Sequence, residues 1–161
     1  MFRKLLHTSN DPTLALLRLV LGVVFFAHGA QKALGWYGGN GFDATIGFFN
    51  HSMHIPPVLA VLAILAEFVG GILLVLGFLA RVAAFGIFAN MVVAIALVHA
   101  PHGLFMNWAG NQGGEGFEYH LLAIAMAVTL IARGAGAFSL DRAIDRSITR
   151  GGSPVRMPRA A

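Results

Sequence analysis

Residues 55–100 form a long apolar run in which Glu67 and Arg81 are the only strongly charged residues. As one helix this run would be about 69 Å long, more than twice the roughly 30 Å of a bilayer's hydrocarbon core. It must therefore fold back on itself. Gly77 and Arg81 indicate the position of the turn, because glycine loosens a helix and an arginine can hold a turn at the membrane surface. We expect two spans, at residues 57–80 and 82–100.

The composition agrees with burial in lipid rather than in water. Of the 161 residues, 57% are hydrophobic and 11% charged, whereas a soluble domain carries about 25% charged residues. Two further apolar stretches, at residues 12–34 and 117–133, complete the pattern. The sequence predicts an all-α membrane protein, a four-transmembrane-helix bundle, in one domain over residues 12–146. A short interfacial helix at residues 139–149 and a disordered basic tail at residues 150–161 are expected to follow.

The basic residues predict the orientation of this bundle, because lysine and arginine stay on the cytoplasmic side. Residues 35–56 and 101–117, the two loops at the opposite side, contain neither. We therefore expect both termini in the cytoplasm of a bacterial cell and a multi-pass protein of the inner (plasma) membrane. A cleaved signal peptide is the rival interpretation of the first run, and Arg18 within its apolar core opposes it. The basic residues form no patch with interleaved aromatics, so no nucleic acid is expected as a partner.

Ionisable residues inside the spans are costly in hydrocarbon and should face the bundle interior. At 100° per residue, one narrow stripe of the first span carries cations, glycines and an aromatic ring. Glu67 lies on a small-residue surface of the second span that lets another helix approach closely. The predicted helix-packing positions are Gly22, Gly29, Gly70 and Gly71.

Depth along the helices suggests partners for these charges. Counting about 1.5 Å per residue places Glu67 between Arg18 and His28, and Lys32 level with Glu118. We expect Arg18 to pair with Glu67 and Lys32 with Glu118, either to fix helix register or to form a ligand or proton site. Asn90 is expected to make an interhelical hydrogen bond.

Histidine is concentrated in the outer half of the predicted bundle, which leaves two cofactor alternatives open. His99, His102, Glu118 and His120 could ligate a divalent metal, and His28 with His99 could be axial haem ligands. Neither spacing is a known ligand motif, so no metal is assigned.

The order of these residues resembles the DoxX family of small four-helix integral inner-membrane proteins. The resemblance covers roughly residues 12–146, and it rests on spacing over the whole domain rather than on one motif. The matching positions are Arg18-x3-Gly22-x2-Phe25-x2-His28-Gly29-x2-Lys32, then Glu67-x2-Gly70-Gly71-x5-Gly77, Arg81, the outer stretch from Phe105 to Tyr119, and Ser139-Leu140-Asp141. Some members are named as membrane subunits of quinone-linked oxidoreductases, including thiosulfate:quinone oxidoreductase, and others are associated with oxidative or quinone stress.

The resemblance and the intramembrane charges together predict a subunit or anchor coupled to a quinone-linked redox or oxidative-stress system, rather than an autonomous enzyme. Electrons would come from a partner redox protein, and a homo-oligomer is the other partner considered. The candidate pocket for a non-covalently bound quinone or a proton consists of Arg18, His28, Lys32, Glu67, Glu118 and His120. The alternatives are a small transporter or channel for a polar solute, and a purely structural membrane anchor.

Overall fold

The computed structural model describes residues 2–151, which are helical with connecting turns and contain no strand. A π-helical turn (Ile95–His99) and a 3₁₀ turn (Ala100–His102) continue the fifth helix, and another 3₁₀ turn, Trp36–Gly38, follows the second. Of the tail predicted at residues 150–161, the first two residues belong to the last helix and residues 152–161 lie outside the described part. The α-helices are α1 (Phe2–Leu6), α2 (Pro12–Leu34), α3 (Phe42–Met53), α4 (Pro57–Leu76), α5 (Ala80–Ala94), α6 (Glu118–Arg133) and α7 (Leu140–Gly151).

The prediction of an all-helical membrane protein is confirmed. Three stretches of the described chain are long and apolar enough to cross a bilayer, namely Pro12–Leu34, Pro57–Leu76 and Ala80–His102. Helix α6 packs beside them, but its 16 residues extend about 24 Å, less than a full hydrocarbon core. The fourth span and the sidedness of the termini stay predictions.

Local sequence signals explain where α2 begins and ends. Asp11 caps its first turn by accepting hydrogen bonds from the backbone N–H groups of Thr13 at 2.8 Å and Leu14 at 3.4 Å. Pro12 follows at the first helical position, where a missing N–H costs nothing. Gly35 ends the helix in the left-handed conformation that glycine adopts most readily.

The turn between α4 and α5 falls where the sequence predicted the chain to fold back. Helix α4 ends four residues earlier than residue 80, because Gly77 takes a left-handed conformation (φ 66°) and donates its N–H to carbonyls of the last turn. Asp141, from the start of α7, then accepts hydrogen bonds from the N–H groups of Leu79 at 2.7 Å and Ala80 at 3.0 Å. A distant carboxylate therefore caps the start of α5.

Helices α2 and α4 pack closely because glycines remove side chains from their contact. A Cβ atom at Gly29 would overlap the backbone of Phe68, and one at Gly71 would overlap the backbone of Phe26. A Cβ at Gly22 would lie 2.9 Å from the backbone nitrogen of Val75. Gly70 instead faces α5, where a Cβ would have ordinary contacts.

The bundle has two distinct ends. At the terminal end, defined by α1, the α4–α5 turn, the last turn of α6 and α7, the Asp141 N–H donates to the Gly77 carbonyl at 2.9 Å and Arg3 pairs with Asp145. At the loop end lie residues 35–56 and 103–117. Many large apolar side chains on the outside, such as Leu122 and Val58, are exposed, as expected for a surface that contacts lipid.

Candidate functional site

Three helices are joined near the loop end by a buried ionic network. The ammonium nitrogen of Lys32, on α2, lies 2.5 Å from Oε2 of Glu67, on α4. Nδ2 of Asn90, on α5, donates to Oε1 of Glu67 at 2.8 Å. The Glu67 side chain is only 6% exposed and that of Lys32 is 27% exposed. Both carboxylate oxygens thus have donors, and the interhelical hydrogen bond predicted for Asn90 is confirmed.

The ion pairs predicted from depth were wrong. Glu67 binds Lys32 instead of Arg18. Glu118 instead accepts hydrogen bonds from the Met106 N–H at 3.0 Å and from Nε1 of Trp108 at 3.3 Å. Each helical side chain leans toward the N-terminus of its own helix. Because α2 and α4 run in opposite directions, Lys32 and Glu67 lean toward each other.

Arg18 belongs to the terminal end of the bundle. It is 1% exposed, and its guanidinium donates to the carbonyls of Leu74, Val75 (2.7 Å), Ala135 (3.0 Å) and Phe138 (3.2 Å). The carbonyls in the last turn of a helix have no partner within that helix. Arg18 supplies donors to two such groups in α4, so its position is that of a structural cap.

Arg81 does the same for α6. Its guanidinium donates to the carbonyls of Ile131 and Ala132, in the last turn of α6, and to that of His7 at 3.1 Å. The sequence predicted that Arg81 would hold a surface turn. The structure gives it a longer-range role, because it ties α5 to the end of α6.

Four aromatic side chains from three segments meet at the loop end, and we call them the ring cluster: His28 on α2, His99 after α5, and Tyr119 and His120 on α6. The ring centroids of His99 and His120 are 4.0 Å apart, those of His28 and Tyr119 6.3 Å, and those of Tyr119 and His120 5.4 Å. His28 is exposed, whereas His120 is buried. The cluster therefore extends from the bundle surface to its interior.

Two buried polar atoms of the ring cluster have no hydrogen-bond partner among the described residues: the Tyr119 hydroxyl and Nδ1 of His120. An unsatisfied buried polar group costs about 1–3 kcal/mol, and such groups are rare in native proteins. They are therefore candidates for contact with a bound molecule. The sequence marked His28 and His120, but it missed Tyr119. A polar aromatic residue in the first turn of an apolar helix was the available signal.

The metal alternative is not supported by the geometry. Within residues 2–151 no three histidine or acidic side chains come close enough to hold a metal ion. Nδ1 of His99 is hydrogen-bonded to the Glu115 carbonyl at 2.8 Å, His102 packs against Gly114, and Glu118 binds the outer loop. His99 and His120 therefore lie side by side, but the four proposed ligands do not converge on one point.

Comparison with known proteins identifies the family. The sequence profile of DoxX matches residues 13–100, which include α2, α4 and α5 with Lys32, Glu67 and Asn90. The chain belongs to the DoxX family. Tyr119 and His120 lie beyond the matched residues of this DoxX protein.

This DoxX protein has relatives in several bacteria, one of them named as a membrane protein. An "Uncharacterized membrane protein" of Mycobacterium tuberculosis is 30% identical over 160 residues, covering 93% of this chain and 92% of the relative. A Bacillus subtilis protein named "Putative oxidoreductase CatD" is 29% identical over 71% of this chain and 75% of its own length. A Haemophilus influenzae protein is 35% identical over 80% of this chain and 87% of its own. No solved structure matches the chain.

Proposed function

We propose that this DoxX protein is a membrane subunit that binds the head group of a quinone at the ring cluster and serves a quinone-linked redox or oxidative-stress system. The observation that carries the proposal is the pair of buried polar atoms on Tyr119 and His120 that find no hydrogen-bond partner in residues 2–151. The name of the Bacillus subtilis relative supports a redox context. A partner redox protein would supply electrons.

The residues at the loop end fit the chemistry of a quinone head group, whose carbonyl oxygens accept hydrogen bonds. The Tyr119 hydroxyl is a donor, and His120 Nδ1 is one in the tautomer that carries the proton there. The Lys32 ammonium donates one hydrogen bond to Glu67. Because an ammonium has three N–H donors, Lys32 can also donate to a second acceptor. A bound quinone would supply two-electron chemistry coupled to protons, and this chain would bind, orient and exchange protons with it.

The four residues of the ring cluster would divide these tasks. His28 lies at the exposed edge, where a molecule dissolved in the bilayer can enter. His99 packs against His120, with the two ring centroids 4.0 Å apart and the planes tilted by 42°, and would limit the space open to the head group on that side. Glu67, satisfied by Lys32 and Asn90, holds the three helices in register beside the site. The sequence prediction placed Arg18 and Glu118 in the pocket, but Arg18 binds backbone carbonyls at the terminal end and Glu118 binds Met106 and Trp108 of the outer loop, so the proposal gives neither a role.

The proposal includes the membrane arrangement predicted from charge: four crossings, with α6 as the fourth, and both termini in the cytoplasm of a bacterial inner membrane. Reporter fusions after Arg81 and after Arg150 should be cytoplasmic, whereas fusions at Asn40 and Asn111 should be external. A carboxyl terminus outside the cell, with the amino terminus inside, would require an odd number of crossings and would contradict the arrangement.

The quinone proposal is tested by removing one hydroxyl. Tyr119→Phe should weaken binding of a short-chain ubiquinone or menaquinone to the purified protein about fivefold, the value of one hydrogen bond near 1 kcal/mol. It should not lower the unfolding midpoint without quinone, because the lost hydroxyl has no protein partner. Tyr37→Phe is the matched control, since Tyr37 is the other tyrosine and 68% exposed.

Each outcome of this experiment has a defined meaning. Equal quinone affinity in the wild-type protein and in Tyr119→Phe would contradict the site. Absence of any bound quinone, together with solute flux into proteoliposomes, would favour the small transporter or channel. Absence of both would favour the structural anchor.

A further inference from the structure

A groove of about 320 Å³ opens at the terminal end of the bundle, on the side opposite the ring cluster. It lies between the end of α4, the Phe138–Ser139 turn and α7, and it is lined by Leu76, Phe138, Ser139, Leu140, Arg142 and Arg146. One wall is therefore apolar, and the other carries two guanidinium groups.

The two arginines of this groove have no acidic partner. Within residues 2–151 no carboxylate lies within ion-pair distance of Arg142 or Arg146. Both acidic residues of α7 are turned away and occupied: Asp141 binds the amides that start α5, and Asp145 binds Arg3 and His7. Partial burial and, secondly, the charge of Arg146 lower the pKa of Arg142. An anion would relieve this crowding of like charges.

The apolar wall lies where a bilayer's hydrocarbon meets its head groups. Leu76 is the last residue of a candidate span and is 50% exposed, and Leu140 is 46% exposed. Phe138 is 89% exposed and has a left-handed backbone (φ 50°), which costs a non-glycine residue about 1 kcal/mol or more. An aromatic ring held outward at this level contacts lipid rather than the protein core.

We propose that this groove is a binding site for an anionic phospholipid, with Arg142 and Arg146 on the phosphate and Phe138 and Leu76 against the first part of an acyl chain. Arginine forms charge-assisted hydrogen bonds with phosphate, often through two N–H groups at once. The adjoining apolar wall distinguishes a lipid from a free anion, which would gain nothing from it. The site is separate from the ring cluster and does not depend on the quinone proposal.

The experiment uses the full chain in detergent, titrated with phosphatidylglycerol or phosphatidylcholine, with bound lipid counted by native mass spectrometry. Phosphatidylglycerol should bind about thirtyfold more tightly, since each of the two basic residues contributes on the order of 1 kcal/mol at a membrane surface. Arg142→Gln/Arg146→Gln should abolish that preference. Arg146→Gln alone, at an exposed position, should weaken phosphatidylglycerol binding about fivefold, and it tests the site without risk to folding.

The control is Lys4→Gln/Arg133→Gln, which removes the same charge from exposed positions at the same end of the bundle. It should keep the preference for phosphatidylglycerol. An equal loss in the control would show general attraction of a basic surface and would overturn the site. Equal binding of phosphatidylcholine would overturn it as well. Displacement of phosphatidylglycerol by inorganic phosphate at the same concentration would show that the site binds a free anion, and it would overturn the proposal of a lipid ligand.

Discussion

The pairing of Lys32 with Glu67 makes the sharpest energetic prediction. Removing one partner of a buried ion pair costs about 3–5 kcal/mol, because the other charge is left uncompensated. The Lys32 side chain is 27% exposed and that of Glu67 6%. Because the Lys32 side chain is only partly buried, leaving its charge unpaired is less costly, and we expect the lower end of the range, about 3 kcal/mol, for Glu67→Gln.

A double-mutant cycle separates the pair from its surroundings. Lys32→Met leaves the more deeply buried Glu67 carboxylate with Asn90 as its remaining donor, so it should cost more than Glu67→Gln. The double variant removes both charges and should be more stable than either single variant. We expect a coupling energy of about 2 kcal/mol or more. The free energy of unfolding is measured by denaturant titration in mixed micelles, with helix content as the signal.

Lys4 provides the control for this cycle. It is an exposed cation at the terminal end, so Lys4→Met combined with Glu67→Gln should be additive to within about 0.5 kcal/mol. If the Lys32 cycle is equally additive, the two side chains do not interact in the folded protein. Our account of how α2 and α4 are joined would then be refuted.

Three further predictions concern the terminal end and the helix contact. Arg18→Gln should lower the unfolding free energy by roughly 3 kcal/mol or more, because carbonyls at the end of α4 lose a charged donor; a normal amount of folded protein in membranes would contradict the capping role. Gly29→Ala should destabilise the α2–α4 contact by about 1–3 kcal/mol, whereas Gly47→Ala, which has open space around it, should be neutral or slightly stabilising in a thermal melt. The pKa of Asp145 is lowered, first by its hydrogen bond with His7 and then by that with Arg3. The stability that Asp145 adds to α7 docking is therefore fully present above the unfolded-state pKa of about 3.9. It is lost as the pH falls through the lower pKa of the folded state. The protection of the α7 amides, measured as their exchange rate relative to the intrinsic rate at the same pH, should therefore fall below about pH 4 in the wild-type protein and be low already at neutral pH in Asp145→Asn.

Much of the fold could be predicted because hydrophobicity is a property of the chain itself. The 46-residue stretch at 55–100 had to turn, and Gly77 marked the turn because it ends a helix without a side-chain clash. A short helix starting at residue 139 was predicted, and the Ser139 hydroxyl caps α7 by accepting the Arg142 N–H at 3.3 Å. These features depend on neighbours in sequence, so no knowledge of packing was needed.

The partners of the buried charges could not be predicted by counting depth alone. Depth is a property of Cα atoms, whereas an ion pair forms between side-chain ends that lie several ångströms away and lean toward their own helix N-terminus. That lean directs the Lys32 side chain toward the terminal end and the Glu67 side chain toward the loop end, so the two meet. It also directs Arg18 toward the terminal end. The rule is general and could have corrected the prediction, but only with the adjacency of α2 and α4 known.

The sequence by itself therefore determined that this protein is helical and embedded in a membrane, where its helices break, and to which family it belongs, since each follows from local composition and order. The tertiary structure decided which polar groups are satisfied and which are left over. Arg18 and Arg81 donate to carbonyls at helix ends, Glu67 is paired with Lys32, and Tyr119 and His120 keep buried polar atoms that have no partner within the described part of the chain. The physical reason is that hydrogen-bond satisfaction depends on distances and directions between residues far apart in the chain, and these exist only once the helices have packed.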